Sequence, residues 1–426
     1  MQNKKITPGR IYGCIHILFF AAFMAIGSVM NAQSVDILLK GGHVIDPKNN
    51  IDSRMDVAIA GGKIVQVAPN IPSNTAKRTV DVSGMFVTPG LIDIHVHVFH
   101  GMDPSYIANG YTSLPPDGFT FRAGVTTVVD AGSAGYRNFE LFKEQTIDRS
   151  ETRVLAFLNI VGEGMRGGPL EQNIKDMNAH RAVAMARKYP DEIVGFKLAH
   201  YEGYDWRPTD STVKAGTLTG MPSMIDFGVS NPPLPLEELF MKHLNPGDIF
   251  THCYAYFPKT RDAIVDENGK VKPFVFAARK RGIIFDVGHG GGSFRWNQAV
   301  PAIQQGLIAD ALSSDLHTGS MNSGYKDMAN LMSKFMALGL SVQDVVARST
   351  WYPAKIINRP ELGNLSVGSE ADVAVFSLVK GNFGFVDINR EKMMGTQKLI
   401  AELTLRAGKI VYDLNGITSP LYRAGK

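Results

Sequence analysis

Three stretches near the start of the chain, VDILLKGGHVIDP, MDVAIAGGKIVQVAP and RTVDVSGMFV, alternate apolar and polar positions or run apolar between Gly, Pro, Asn and Asp. That pattern predicts short strands separated by turns. The far end of the chain reads the same way in ADVAVFSL and QKLIAELTLRAGKIVYDLNG. AGGKIV at 60–65 and RAGKIV at 406–411 echo each other, and both predict hairpin turns. One small β-sandwich built from both ends, 34–89 and 351–426, is expected, with the middle of the chain inserted into it.

The middle, 90–350, alternates apolar runs with helical patterns. The runs are GLIDIHVHV (90–98), VTTVVDAG (125–132), VLAFLNIVG (154–162), IVGFKLAHY (193–201), PSMIDFG (222–228), DIFTHCYA (248–255), GIIFDVGHG (282–290) and ALSSDLHTG (311–319). Helices are expected between several of them, for example over 170–189 and 327–339. Eight such units in about 260 residues fit an α/β fold of the TIM-like (β/α)8 barrel type. An open doubly wound sheet is the rival, and no Gly-rich phosphate fingerprint follows the first strand to support it.

Composition narrows the classes. Of 426 residues, 44% are hydrophobic and 20% charged, enough for a large core and too apolar for a disordered chain. The formal charge is +4 with no basic cluster, so no nucleic-acid partner is expected. Two cysteines exclude a disulfide scaffold. Lys4, Lys5 and Arg10 precede an apolar run from Ile15 to Ile26, then small and polar residues to Ala32. This is the order of a secretory signal over 1–33, and the run is shorter than a membrane span needs. An uncleaved anchor is the alternative. Cleavage would lower the charge from +4 to +1 and remove Cys14, leaving Cys253 alone, where it is expected to be buried. The expected location is periplasmic or secreted, without stable membrane insertion.

His95 and His97 are two apart at the end of an apolar strand, so both project to one face at the barrel mouth. Asp93, one step deeper, could orient an imidazole. Lys197, Asp226, His252, His289 and Asp315 follow at the ends of later strands, at spacings of 29, 26, 37 and 26 residues. Each alone has a bland reading as a solvated lysine, a core histidine or a cap. Together, at barrel spacing, they suggest a site. Imidazole and carboxylate suit zinc and similar divalent ions. Two such ions about 3.5–4 Å apart can share a nucleophilic hydroxide. Burial and cationic neighbours would depress the pKa of Lys197, and carbamylation by carbon dioxide is one resolution. Asp315 could move a proton to a leaving group. His289, in GHGGG, could hold substrate or only pack.

VTPGLIDIHVH (87–97) and the split β-domain resemble the amidohydrolase superfamily. NPPLPLEELF (231–240), GDIFTHCY (247–254), DENGKVKPFVFAARKRGIIFDVGHGGGSF (266–294), SSDLHTG (313–319) and ELGNLSVGSEADVAVF (361–376) are similar to its deacetylase-type, dihydroorotase-like branch. The resemblance implies two divalent ions, with zinc expected. His95 and His97 would hold the more buried ion. A carbamylated Lys197 would bridge the two, and His252 would bind the second. Asp315 would both ligate and act as acid/base.

Two departures stand out. The resemblance implies a histidine where this chain has Asp226, which lowers the charge of a binuclear centre and predicts a less electrophilic site, an altered metal preference, or one weak ion. The arginine common just after the lysine is missing, so an acidic N-acyl substrate is not implied. Tyr201, Tyr204 and Trp206 could line a pocket or form a surface loop, and the loop 99–118, with His100, Tyr106 and Tyr111, could cover the site. The expected activity is hydrolysis of an amide or ester of a small acyl substrate. Opening of a cyclic amide and non-catalytic ligand binding are the alternatives. The small β-domain could also support a homo-oligomer.

Overall fold

The computed structural model describes residues 35–103, 108–110, 112–324 and 327–423. The expected leader over 1–33, with Cys14, and Tyr106 and Tyr111 of the expected covering loop lie outside them. The chain begins with β1 (Val35–Asp46), β2 (Ile51–Ala60), β3 (Lys63–Ala68), β4 (Ala76–Asp81) and β5 (Phe86–Pro89). It then enters β6 (Leu91–Val96), a short β7 (His100–Asp103), β8 (Val125–Gly135), β9 (Arg153–Asn159), β10 (Ile193–Leu198), β11 (Ser223–Ile225), β12 (Ile249–Phe250) and β13 (Ile284–Phe285). It returns through β14 (Val373–Val386), β15 (Lys392–Arg406) and β16 (Lys409–Asp413).

Both termini share one eight-stranded sheet, ordered β16-β15-β14-β5-β1-β2-β3, with β4 beside β1. Leu39, Val57, Ile64, Val87, Val375 and Leu403 come from both chain segments and pack into one buried core. This is the expected strand-rich sandwich. The two echoing hairpins are its latch. Gly61 and Gly62, and Ala407 and Gly408, all have φ between 49° and 75°. Ala60 pairs with Lys63, and Arg406 with Lys409, across these two-residue turns, the tight form whose twist suits a hairpin. The turns also touch each other. A Cβ on Gly62 would lie 2.9 Å from the Ala407 carbonyl, and one on Gly408 would lie 2.9 Å from Gly62 Cα.

The middle of the chain is the barrel. A seven-stranded parallel sheet runs β13-β12-β11-β10-β9-β8-β6. The eighth expected strand, 311–319, is reduced to isolated parallel bridges, Asp286 with Ala311 and Val96 with Leu316. Those bridges still close the ring between β13 and β6. Strand geometry stops there because Asp315 adopts a left-handed φ of 52°. β11, β12 and β13 are likewise only two or three residues long, shorter than the apolar runs predicted. The expected helix over 170–189 is confined to Ala179–Lys188, because the Asn178 side chain caps its start at Arg181 N. The helix expected over 327–339 spans Met328–Ala337, capped by Asp327. A further helix, Trp351–Ile356, packs on β6. Among the described residues, no helix is long and apolar enough to cross a membrane.

Barrel and sheet are pinned by a charge network. Arg153 on β9 donates to Asp372 at 2.7 Å and pairs with Glu370, and Arg406 reaches Asp372 at 3.1 Å. Gly62→Ala should lower the unfolding free energy by about 1–2 kcal/mol from its left-handed backbone alone, with the Ala407 contact adding to that. Denaturant unfolding checks this. An unchanged midpoint would show that Gly62 is not held in the left-handed conformation.

Candidate active site

β6 delivers His95 and His97 to the mouth of the barrel, both almost fully buried. Each ring is held by its inner nitrogen. His95 Nδ1 is 2.9 Å from Thr251 Oγ1, which donates to Asp286 at 2.7 Å. His97 Nδ1 is 3.0 Å from Ser133 Oγ. The two Nε2 atoms are left facing Asp315 Oδ1, at 3.7 Å from His95 and 3.1 Å from His97. Among the described residues, His95, His97 and Asp315 form the group whose ligand atoms all lie within 4.8 Å of one another. Two imidazoles and a carboxylate, converging and oriented from behind, fit a divalent ion.

Asp93 does not orient an imidazole. Its Oδ1 accepts from the backbone N–H of His95 at 3.2 Å and of Ser314 at 3.0 Å. Sitting two residues before His95, it braces the backbone that carries the ring. Burial pushes its pKa up to about 7. Burial and the neighbouring Lys197 depress His95 to about 3, so its ring is neutral and available as a ligand. Asp315 is held well below the usual carboxylate range. Burial opposes this, but His97 and His95 outweigh it.

Lys197 on β10 is fully buried, with Nζ 3.4 Å from His95 Nε2 and 3.6 Å from Met224 Sδ. Burial lowers its pKa against the pull of Asp226 and Asp315. Asp226 and His252 stand next to it. Asp226 Oδ2 lies 3.6 Å from His252 Nε2 and 3.9 Å from His200 Nε2. Burial works against ionisation of Asp226, yet His252 and Lys197 hold its carboxyl well below the ordinary value. His252 Nδ1 is fixed at 2.6 Å by the Gly288 carbonyl.

Of the expected site residues, His95, His97, Lys197, Asp226, His252 and Asp315 come together. His289 does not face them. Its Nε2 is 2.6 Å from Lys334 Nζ and its ring stacks on Phe294, which favours the packing alternative. The glycine beside it serves Asp315: a Cβ on Gly290 would lie 2.3 Å from Asp315 Oδ2. Cys253 is buried as expected. Tyr204 is exposed, whereas Tyr201 and Trp206 are half-buried against the hydrophobic core, Trp206 also stacking on His243.

Two adjoining cavities of about 360 and 400 Å³ share His200, Asp226, His252, Asp315, His317 and Gly319 as lining. The inner one adds His95, His97 and Thr112, the last from the expected covering loop. The outer one adds Arg261 and Phe257. A larger cavity, about 990 Å³, lies at the other end of the barrel, against Pro222 and Asp248 just ahead of β11 and β12 and Ile284 at the start of β13. The site chemistry is absent there.

Several contributors were not anticipated. His317 lies two residues past Asp315, an alternation like that of His95 and His97, and was readable in principle. Arg261 donates to the carbonyls of Phe227, Thr251 and His252, tying two strand ends together. It comes from an irregular loop whose sequence carries no signal. Thr251, Ser133 and Asp286 support rings from other strands, which only the barrel closure reveals.

The description "Amidohydrolase family" matches residues 235–412. A deacetylase of Agrobacterium fabrum is 34% identical over 352 residues, 80% of this chain and 83% of the relative. A crystal structure of an adenine deaminase superposes with a TM-score of 0.80 at 27% identity, over 89% of this chain and all of the other. A dihydroorotase structure gives 0.77 at 31% identity, over 88% and 99%.

Thr251→Val would leave His95 Nδ1 without its partner. If the cluster holds a divalent ion, its affinity should fall roughly 10–100-fold with the fold intact. Titration of metal-free protein reads this directly, and unchanged affinity would show that Thr251 does not orient the ring.

Proposed function

This chain belongs to the amidohydrolase family, and we propose that it is an exported, metal-dependent deacylase of a small N-acyl or O-acyl substrate. The observation that carries this reading is the convergence of the His95 and His97 Nε2 atoms on Asp315 at the barrel mouth, beneath a substrate-sized cavity. His95, His97 and Asp315 would hold one divalent ion, with zinc expected from the donor set. An ion there would lower the pKa of water and polarise a carbonyl.

The chain's own residues do the rest. Asp315 takes the proton of the attacking water and returns it to the departing nitrogen or oxygen. Oδ1 faces the two imidazoles, and Oδ2 has the space that Gly290 leaves. Lys197, with its ammonium disfavoured by burial, is suited to carbamylation. Its amine would add to the carbon of CO2 and release a proton, giving a carbamate that would serve as a further carboxylate-type donor beside His95. Arg261 and Ser133 hold strand ends and rings in place, and His317 is placed on the cavity wall to hold substrate. The deacetylase relative supports acyl hydrolysis over ring opening, although a dihydroorotase is among the structural neighbours. The cationic start and apolar run before Ala32 support export.

A screen of N-acetyl amino acids and acetyl esters against dihydroorotate and hydantoins tests the reaction. Turnover of acyl substrates is expected, and ring opening alone would replace this reading with the cyclic-amide one. Asp315→Asn should lower kcat by about 10²–10⁴-fold. A smaller loss would remove Asp315 from proton transfer. Lys197→Ala should bind less metal by elemental analysis, and wild-type metal content in that variant would rule out the carbamate as a ligand. N-terminal sequencing of secreted or periplasmic protein tests export, and a first residue near Met1 would count against cleavage.

A further inference from the structure

The Gly288–Gly290 turn that follows β13 touches two of the residues gathered at the barrel mouth. The Gly288 carbonyl accepts from His252 Nδ1 at 2.6 Å. The Gly290 backbone packs so closely on Asp315 that a Cβ there would lie 2.3 Å from Oδ2. Both glycines have positive φ, 45° and 54°. The amides of the turn are tied to the 311–319 segment. Gly288 N donates to Ser313 Oγ at 2.8 Å, His289 N to the Ser313 carbonyl at 3.1 Å and Gly290 N to the Ser314 carbonyl at 3.0 Å.

His289 supplies the side chain of this turn, and that side chain is held from outside it. Lys334, on the helix Met328–Ala337, is fully buried. Its Nζ is 2.6 Å from His289 Nε2, 2.7 Å from the Val386 carbonyl and 3.3 Å from the Gly324 carbonyl. The rings of Phe294 and Trp296 lie 4.8 and 5.3 Å from the same atom. Burial and Lys334 hold His289 well below its ordinary pKa, so its ring is neutral. Nε2 then accepts from the ammonium, and Nδ1–H donates to the Gly290 carbonyl at 2.9 Å. A cation at one nitrogen polarises the imidazole and strengthens the bond made by the other. Val386 ends β14, so the contacts run from the outer sheet through Lys334 and His289 to the turn beside Asp315. Packing alone does not call for a lysine here, because an apolar side chain of the same length would avoid the cost of burying a charge.

We propose that Lys334 is a positioning residue: through His289 it fixes the Gly288–Gly290 turn, and thereby the angle at which Asp315 returns its proton to the leaving group. The proposal rests on the acyl-hydrolase reading, in which Asp315 carries that proton. Neither His289 nor Lys334 lines the two cavities, so their loss should act on kcat and leave KM nearly unchanged.

The test compares benzyl acetate with para-nitrophenyl acetate as substrates. A nitrophenolate departs without a proton, whereas a benzyl alkoxide needs one. Lys334→Met keeps the length of the side chain and removes its donors. It should lower kcat for benzyl acetate about 10–100-fold, with a clearly smaller loss for the nitrophenyl ester. His289→Phe keeps a ring against Phe294 and should show the same split, and the double variant should lose no more than the worse single one. Hydrogen–deuterium exchange of the metal-free protein reads the turn without activity: amides 288–290 should exchange faster in both variants. Ser333→Ala is the control for packing. Ser333 Oγ accepts from Leu399 N at 2.9 Å on the same helix, so its loss should lower the melting temperature and leave the ratio of the two esters unchanged. If Lys334→Met does not fold, His289→Phe carries the test. A kcat loss equal on the two esters, or matched by loss of metal in elemental analysis, would make Lys334 a support of the fold and overturn the proposal. Unchanged kcat in folded variants would overturn it and leave the hydrolase reading standing. A wild type inactive on every acyl substrate would remove both.

Discussion

The closure of the barrel between its last stave and its first strand is the constraint on which the site depends. Asp315 N donates to the His95 carbonyl at 2.7 Å, and His97 N donates to the Leu316 carbonyl at 2.9 Å. The hydrogen bonds that complete the ring therefore also set the Asp315 carboxylate against the two imidazoles. A barrel that failed to close would lose its architecture and its chemistry together. This explains why the last stave need not be a regular strand. Its task is one pair of bridges and one carboxylate, and a left-handed turn at Asp315 serves that better than extended geometry.

Burying so much charge is costly, and the protein offsets it through partners rather than exposure. Arg261 is 2% exposed and spends its donors on strand-end carbonyls near Asp226. Lys197 meets burial by losing affinity for its proton. His95 and His97 each occupy one nitrogen on a hydroxyl, which leaves the other directed into the cavity. His200, His252 and Asp315 all carry positive φ. Such backbone strain gathers where the surrounding structure can hold it, commonly at functional positions. The outer sheet contributes to that rigidity, since Arg153 and Arg406 converge on Asp372 and tie the barrel's β9 to the strands returning from it.

The sequence by itself determined the architecture. Alternating and continuous apolar runs separate half-buried strands from fully buried ones, and the hairpin echo at 60–65 and 406–411 disclosed that the two ends of the chain belong together. H-x-H at the end of an apolar run identified His95 and His97 because a strand's period of two puts both on one face. Single polar residues at barrel spacing then pointed to Lys197, Asp226, His252 and Asp315. Only the tertiary structure decided what stands behind and between them. His289 obeys the same spacing but turns to Lys334, because strand-end position does not fix the direction of a side chain once the backbone leaves the strand. Asp93 shares the right face yet serves backbone amides. Thr251, Ser133 and His200 join the site through contacts between residues distant in sequence, and Arg261 reaches it from a loop without periodicity. The physical reason is one of range. Periodicity reports which way a residue faces within its own element, whereas ligand orientation and charge compensation are set by neighbours that meet only when the ring is closed.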